Sequence, residues 1–172
     1  QCFDDYLRML EICTELTGYP DRYETYGLEV GKQVEAATAL QDGSAPRVLC
    51  LRATGSSCKV KGSTDYLLGE MLADLGCVNV ADGSSLLENL SLEAIIAADP
   101  DYIFAVLQGS DPTDAQQMLE ATLLDNPAWS ELRAVKEGRF YTLDPTLYNL
   151  KPNARWGEAY EKLAEILYTE QA

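Results

Sequence analysis

Three short polar stretches hold the residues best suited to chemistry. The first, Arg52-Ala-Thr-Gly-Ser-Ser-Cys-Lys-Val-Lys-Gly62, carries Arg52, Lys59 and Lys61 and no acid, in a chain with only 13 basic residues against 28 acidic ones. Its glycines and hydroxyls would let backbone amides approach an anion. Contact with a carboxylate or catecholate is one reading of this stretch, and a solvated flexible loop is the other. The second stretch, Gln108-Gly-Ser-Asp111, is small and polar, and Gln108 is its candidate ligand contact. In the third, Asp144 to Trp156, Tyr148 could stack on a flat ligand or offer a phenolate to iron. Asn149 and Lys151 are its polar neighbours, and Trp156 reads as a core anchor.

Catalysis finds little support in these residues. Histidine is absent, which removes Ser-His and Cys-His schemes, His-ligated zinc and the commonest haem ligand. The five cysteines (Cys2, Cys13, Cys50, Cys58, Cys77) form no C-x-x-C pair or zinc-like spacing. Cys50 and Cys77 lie in apolar context and read as small core residues. Gly55 to Ser63 lacks the P-loop spacing, and no nucleophile elbow or G-x-G-x-x-G occurs. The expectation is a protein that is not an enzyme and has no intrinsic cofactor.

The elements that must position these stretches follow from apolar spacing. Residues 4–17 repeat apolar side chains at helical intervals and stop at Gly18. Pro20 then opens a second helix running to Asp42, roughly 34 Å long. Short apolar runs at Arg47–Arg52, Val78–Val80, Tyr102–Leu107 and Phe140–Leu143 read as strands. Between them lie helices capped by Ser63 or Thr64, by Ser91, by Asp111 before Pro112 and by Asn126 before Pro127. Asn153 is expected to cap a last helix with Trp156, Ala159, Tyr160, Leu163 and Leu167 facing inward. Strands alternating with helices predict an α/β fold, a parallel sheet of about four strands flanked by helices and preceded by a long connecting helix. Ligands gather at the carboxyl ends of such strands, where all three polar stretches fall.

At 172 residues, 47% of them hydrophobic, the chain suits one ordinary domain. Its net charge of -15 should repel nucleic acid and anionic membrane surfaces. It serves solubility or docking on a basic partner. No signal-peptide pattern opens the chain. It starts directly on helical pattern, and the expectation is a segment of something longer.

Four stretches together carry a family resemblance: Leu75-Gly-Cys-Val-Asn-Val, Leu90-Ser-Leu-Glu with Asp99-Pro-Asp-Tyr-Ile, Asn126-Pro-Ala-Trp with Leu132-Arg-Ala-Val-Lys-Glu-Gly-Arg-Phe-Tyr, and Lys151-Pro-Asn-Ala-Arg-Trp with Ala159-Tyr-Glu-Lys-Leu-Ala. From about Pro46 onward the chain resembles the C-terminal lobe of class III solute-binding proteins. These serve ABC importers of ferric siderophores, haem or cobalamin. The resemblance implies two α/β lobes joined by a rigid helix, with ligand between them. It makes residues 1–45 a helical segment including the connector and 46–172 the C-terminal lobe, the N-terminal lobe being missing. It also implies docking on ABC permease membrane subunits through Glu93, matching the family's exposed glutamate, and an extracytoplasmic, membrane-anchored whole protein. Some relatives carry histidine where this chain reads Leu147-Tyr-Asn-Leu-Lys151, which rules out histidine ligation of haem from this lobe. Cys2 is not read as a lipidation site, because helical pattern follows it at once.

Two rivals stand beside this reading. One is an α/β half-domain of a metal-chelatase or nitrogenase-like enzyme, for which only Cys58 qualifies as a strand-end ligand. The other is a domain that self-associates through the helix over 20–42.

Overall fold

A computed structural model describes residues 3–64, 66–109 and 111–169. Cys2 lies outside them. Helix α1 (Phe3–Thr17) ends at Gly18, whose φ of 74° a side chain would resist. Helices α2 (Asp21–Tyr23) and α3 (Glu29–Thr38) are joined by a π turn (Glu24–Leu28), and their junctions are right-handed helical. They form one run, the long helix expected over 20–42, about four residues shorter at its carboxyl end than the sequence suggested.

The rest is a sheet between two helical layers. Strand β1 (Arg47–Thr54) turns through Gly55-Ser56 into β2 (Ser57–Lys61). Helix α4 (Leu67–Asp74), strand β3 (Val78–Asn79), helix α5 (Leu92–Ala98) and strand β4 (Tyr102–Leu107) follow. Then come α6 (Pro112–Leu119), α7 (Arg133–Lys136), β5 (Phe140–Leu143), α8 (Pro145–Tyr148) and α9 (Trp156–Tyr168). The strand order is β2-β1-β4-β5, with β3 also on β1. Since β4 occupies one edge of β1, β2 and β3 share the other, at its two ends. Strands β3, β4 and β5 are parallel to their neighbours, and β2 is antiparallel. The four expected strands are present. The fifth, β2, falls in the stretch read as a loop.

The side chains explain the layers. Along β1 and β4, Val48, Cys50, Phe104 and Val106 face one core, and Leu49, Leu51, Ile103 and Ala105 face the other. The first core is covered by α3, α4 and α9, with Trp156, Tyr160 and Leu163 buried as expected. Tyr6, Val30 and Ala37 join it, so the N-terminal helices share a core with the sheet. The second core is covered by α5, α6 and the Trp129 turn. Burying this many large side chains, each contributing roughly 1.5–3 kcal/mol, drives the assembly.

Three expected helix starts hold. Ser91 accepts from the Ala94 N–H, Asp111 from Thr113 and Asn126 from Ala128. Two do not. Helix α4 begins after Tyr66 with no side-chain cap, because Ser63 and Thr64 lie too early. Asn153 has φ 52° and opens a 3₁₀ turn (Asn153–Arg155), which leads into α9 without a side-chain cap. Among the described residues no helix is long and apolar enough to cross a membrane.

Burial also sorts the thiols. Cys50 and Cys77 are buried, whereas Cys13 is exposed on α1. Desolvation pushes the Cys77 thiol up to about 12 and that of half-buried Cys58 to about 11. Since the thiolate is the reacting form, brief iodoacetamide treatment of the native protein should label Cys13 first among these four. Cys50 and Cys77 should be labelled only after unfolding. Peptide mass spectrometry reads the order, and early labelling of Cys50 would contradict the packing described.

Candidate ligand-binding face

The basic stretch is a hairpin rather than a loop. Thr54 pairs with Ser57, and the Thr54 Oγ1 accepts from the Ser57 N–H at 3.1 Å, closing a two-residue turn. Arg52 stands opposite Lys59, and Cys50 opposite Lys61. Cross-strand partners project to the same face. All three cations therefore share the sheet face that carries Cys50 and Val106, toward the carboxyl end of β1. Among the described residues neither Arg52 nor Lys59 has a carboxylate partner. The Lys61 ammonium lies 5.5 Å from the centre of the Tyr66 ring, a cation–π distance. The signal for β2 was the alternation Cys58-Lys-Val-Lys61 after Gly55-Ser56. Val60 points into the second core while the lysines point away from it.

The remaining candidates spread along the same edge. Gln108 follows β4 directly, its N–H donating to the Ala53 carbonyl at 2.8 Å, and is half-buried. Asn149 is half-buried and Lys151 exposed. Both follow β5, two strand spacings or about 10 Å across the sheet from β1. The carboxyl edge thus presents Arg52, Lys59 and Lys61 together, Gln108 beside them, and Asn149 and Lys151 apart.

Tyr148 is a correction. It was expected to face a ligand, but it is 2% exposed and its hydroxyl donates to the Ala159 carbonyl at 3.0 Å. Asp144 accepts from the Thr146 N–H at 2.8 Å and starts α8, whose single turn rotates Leu147 and Tyr148 into the first core. Burial raises the Tyr148 pKa well above the usual tyrosine range, so no phenolate is available near neutral pH. Tyr66 is the residue the sequence reading missed. It is 6% exposed at the start of α4, under Lys61.

Glu93 occupies the first turn of α5 and is exposed. Ser91 caps the helix and also donates to Glu93 Oε2 at 2.7 Å, which holds its carboxyl below the usual glutamate range. At the other end of α5, the Arg47 guanidinium donates to the Ala98 carbonyl at 2.6 Å. The C-terminus of α5 therefore sits at the start of β1, and Glu93 points toward the strand carboxyl edge. Helix α5 packs on the second core, so Glu93 and the three cations lie on opposite sides of the sheet.

A groove of about 640 Å³ lies elsewhere, toward the amino edge, lined by Phe3, Asp4, Val34, Glu35, Asp74 and Tyr160. Its acids resemble the protein's general surface. Arg52 and Lys59, without a carboxylate partner among the described residues, are the exception in a chain of net charge -15, and with Lys61 on the same face they mark the better site. Among the described residues no group of three or more His, Cys, Asp or Glu could hold a metal ion.

The periplasmic binding protein family matches residues 1–147. The chain belongs to this family. It is therefore grouped with the class III solute-binding proteins, which bind substrates for transport rather than transform them. Among relatives, it is 23% identical over 143 residues to the high-affinity heme uptake system protein IsdE of Staphylococcus aureus, covering 81% of this chain and 48% of that protein. The chain thus spans about half the length of the curated relative it matches. The crystal structure of S. aureus IsdE complexed with heme superposes with a TM-score of 0.76 at 21% identity, covering 96% of this chain and 65% of that one. The periplasmic heme-binding protein RhuT from Roseiflexus sp. RS-1 gives 0.74 at 24% identity, with coverages of 94% and 61%. These likenesses establish the fold.

Proposed function

We propose that residues 46–172 form the C-terminal lobe of an extracytoplasmic solute-binding protein, and that residues 1–45 include the helix joining it to a second lobe. The full-length protein captures a metal complex between the lobes and delivers it to the membrane subunits of an ABC permease. Ferric siderophores, haem and cobalamin are the candidate cargoes. The observation that carries the reading is the row of Arg52, Lys59 and Lys61 on one sheet face at the strand carboxyl edge, in a chain of this family. The relatives' uptake and heme-binding names support the choice of cargo. Gln108, Asn149 and Lys151 are secondary contacts along that edge. Glu93 is the docking carboxylate, held rigid by Ser91 for bidentate pairing with a permease arginine.

Titration of the full-length protein with haemin, a ferric catecholate and cyanocobalamin, followed by tryptophan fluorescence, tests this. Saturable binding of one of them with a sub-micromolar Kd is expected. Absence of binding by all three would count against the proposal.

A further inference from the structure

The outer edge of β2 is open. The Gln108 N–H donates to the Ala53 carbonyl at 2.8 Å, so the main chain of Ala53 points toward β4 and away from β2. Ala53 and its partner Cys58 are therefore a pair that exchanges no hydrogen bonds, and by alternation so are Leu51 and Val60. The N–H and C=O groups of Cys58 and Val60 thus face outward from the sheet. Neither residue makes a main-chain bond on that side among the described residues. A groove of about 210 Å³ lies against this edge, lined by Cys58, Lys59 and Val60 and by Leu86, Leu87 and Glu88. Leu87, from the 3₁₀ turn Ser85–Leu87, is 45% exposed.

The two faces flanking the edge differ in character. Val60 belongs to the second core and Cys58 packs against it, so that side is apolar apart from Glu88. Lys59 and Lys61 project from the opposite face, and exposed Lys59 has no carboxylate partner among the described residues. A second copy fits poorly here. Antiparallel self-pairing centred on Lys59 sets the two Lys59 residues opposite each other, and centring on Val60 sets Lys59 against Lys61, where like charges repel. Centring on Cys58 faces Lys59 with Ser57 and leaves its charge unanswered. We propose that this edge receives an extended segment of a partner protein in which acidic and apolar residues alternate. Its main chain bonds to Cys58 and Val60 and extends the sheet by one strand. Its acidic side chains meet Lys59 and Lys61, and its apolar ones enter the groove beside Leu87, from which Glu88 excludes an acid. One register satisfies both faces, because strand side chains alternate. Lys59 is shared with the cargo reading, so the test follows main-chain groups that cargo does not require.

The test uses the full-length protein without cargo, its Leu87→Glu variant, and two capped peptides, Ser-Val-Glu-Val-Glu-Val-Ser and its counterpart with lysine in place of glutamate. The acidic peptide should bind with a Kd of about 100 μM or tighter, and the basic one at least about tenfold more weakly. Bound acidic peptide should slow hydrogen exchange at the outward-pointing Cys58 and Val60 amides. Leu87→Glu should weaken binding by about tenfold with the thermal midpoint unchanged, since it adds a like charge where the apolar side chains enter. Equal affinity for the two peptides, or binding without slowed exchange at those amides, overturns the proposal. Absence of saturation by about 1 mM does so as well. Slowed exchange at these amides on raising the protein concentration alone assigns the edge to a second copy and also overturns it. The cargo titration reads the binding proposal separately, whatever the peptides do.

Discussion

Tyr148→Ala should unfold far more readily than the wild type, losing about 3–5 kcal/mol of stability, as expected when a buried aromatic side chain leaves a cavity. The ring is fully packed among Leu147, Tyr160 and other members of the first core. Its hydroxyl donates to the Ala159 carbonyl at 3.0 Å, so α8 is tied to α9 through this one group. Tyr148→Phe keeps the ring and removes the tie, and should cost only about 1 kcal/mol. Urea unfolding of the three proteins measures both effects. A ligand contact would behave in the opposite way, with stability preserved and affinity lost. That outcome would place Tyr148 back among the binding residues.

Glu93→Arg should leave cargo binding within about twofold of wild type yet lower transporter-dependent uptake by at least about tenfold, since like charges across an interface repel strongly. The structural basis is separation. Glu93 lies across the sheet from Arg52, Lys59 and Lys61, so the substitution reaches none of the proposed binding contacts. Its carboxyl is held below the ordinary glutamate range, chiefly by the Ser91 hydroxyl. A lowered pKa means that the charge is lost only in acid, as pH falls through that value. Between about pH 5 and 8 the Glu93 contribution to docking should therefore not vary. Uptake assays in cells lacking the native copy, paired with titrations of the purified protein, separate the two functions. Uptake unchanged in Glu93→Arg would remove Glu93 from the docking surface.

The layout was readable where local chemistry was strong. Asp111-Pro112, Asn126-Pro127 and Ser91 are caps that act through their nearest amides, and the structure uses each of them. Tyr102–Leu107 announced itself as a strand because both of its faces are buried, leaving a continuous apolar run. The errors share a cause, which is that long-range packing decides what a short polar segment does. Ser57–Lys61 became a strand because β1 offered an open edge and Val60 a place in the second core. Tyr148 looked exposed because Asp144-Pro145 was taken as loop, although it is the same cap-then-proline start recognised at Asp111. Tyr66 drew no attention, since nothing local distinguishes a tyrosine that will be buried beneath a lysine of the neighbouring strand. The register of the hairpin puts Lys61 opposite Cys50, on the face where the Tyr66 ring meets it.

The proposed function concentrates on the cationic face, and one equilibrium titration tests it most directly. Full-length protein and its Arg52→Glu/Lys59→Glu double variant would be titrated with haemin and with ferric tris(2,3-dihydroxybenzoate), after circular dichroism has established that both are folded. Reversing two uncompensated charges at a ligand contact should cost a hundredfold or more in affinity, about 2.7 kcal/mol. Saturable sub-micromolar binding by the wild type, weakened to that extent in the double variant, is the predicted result. Equal binding by the two proteins, or none by either, would contradict it.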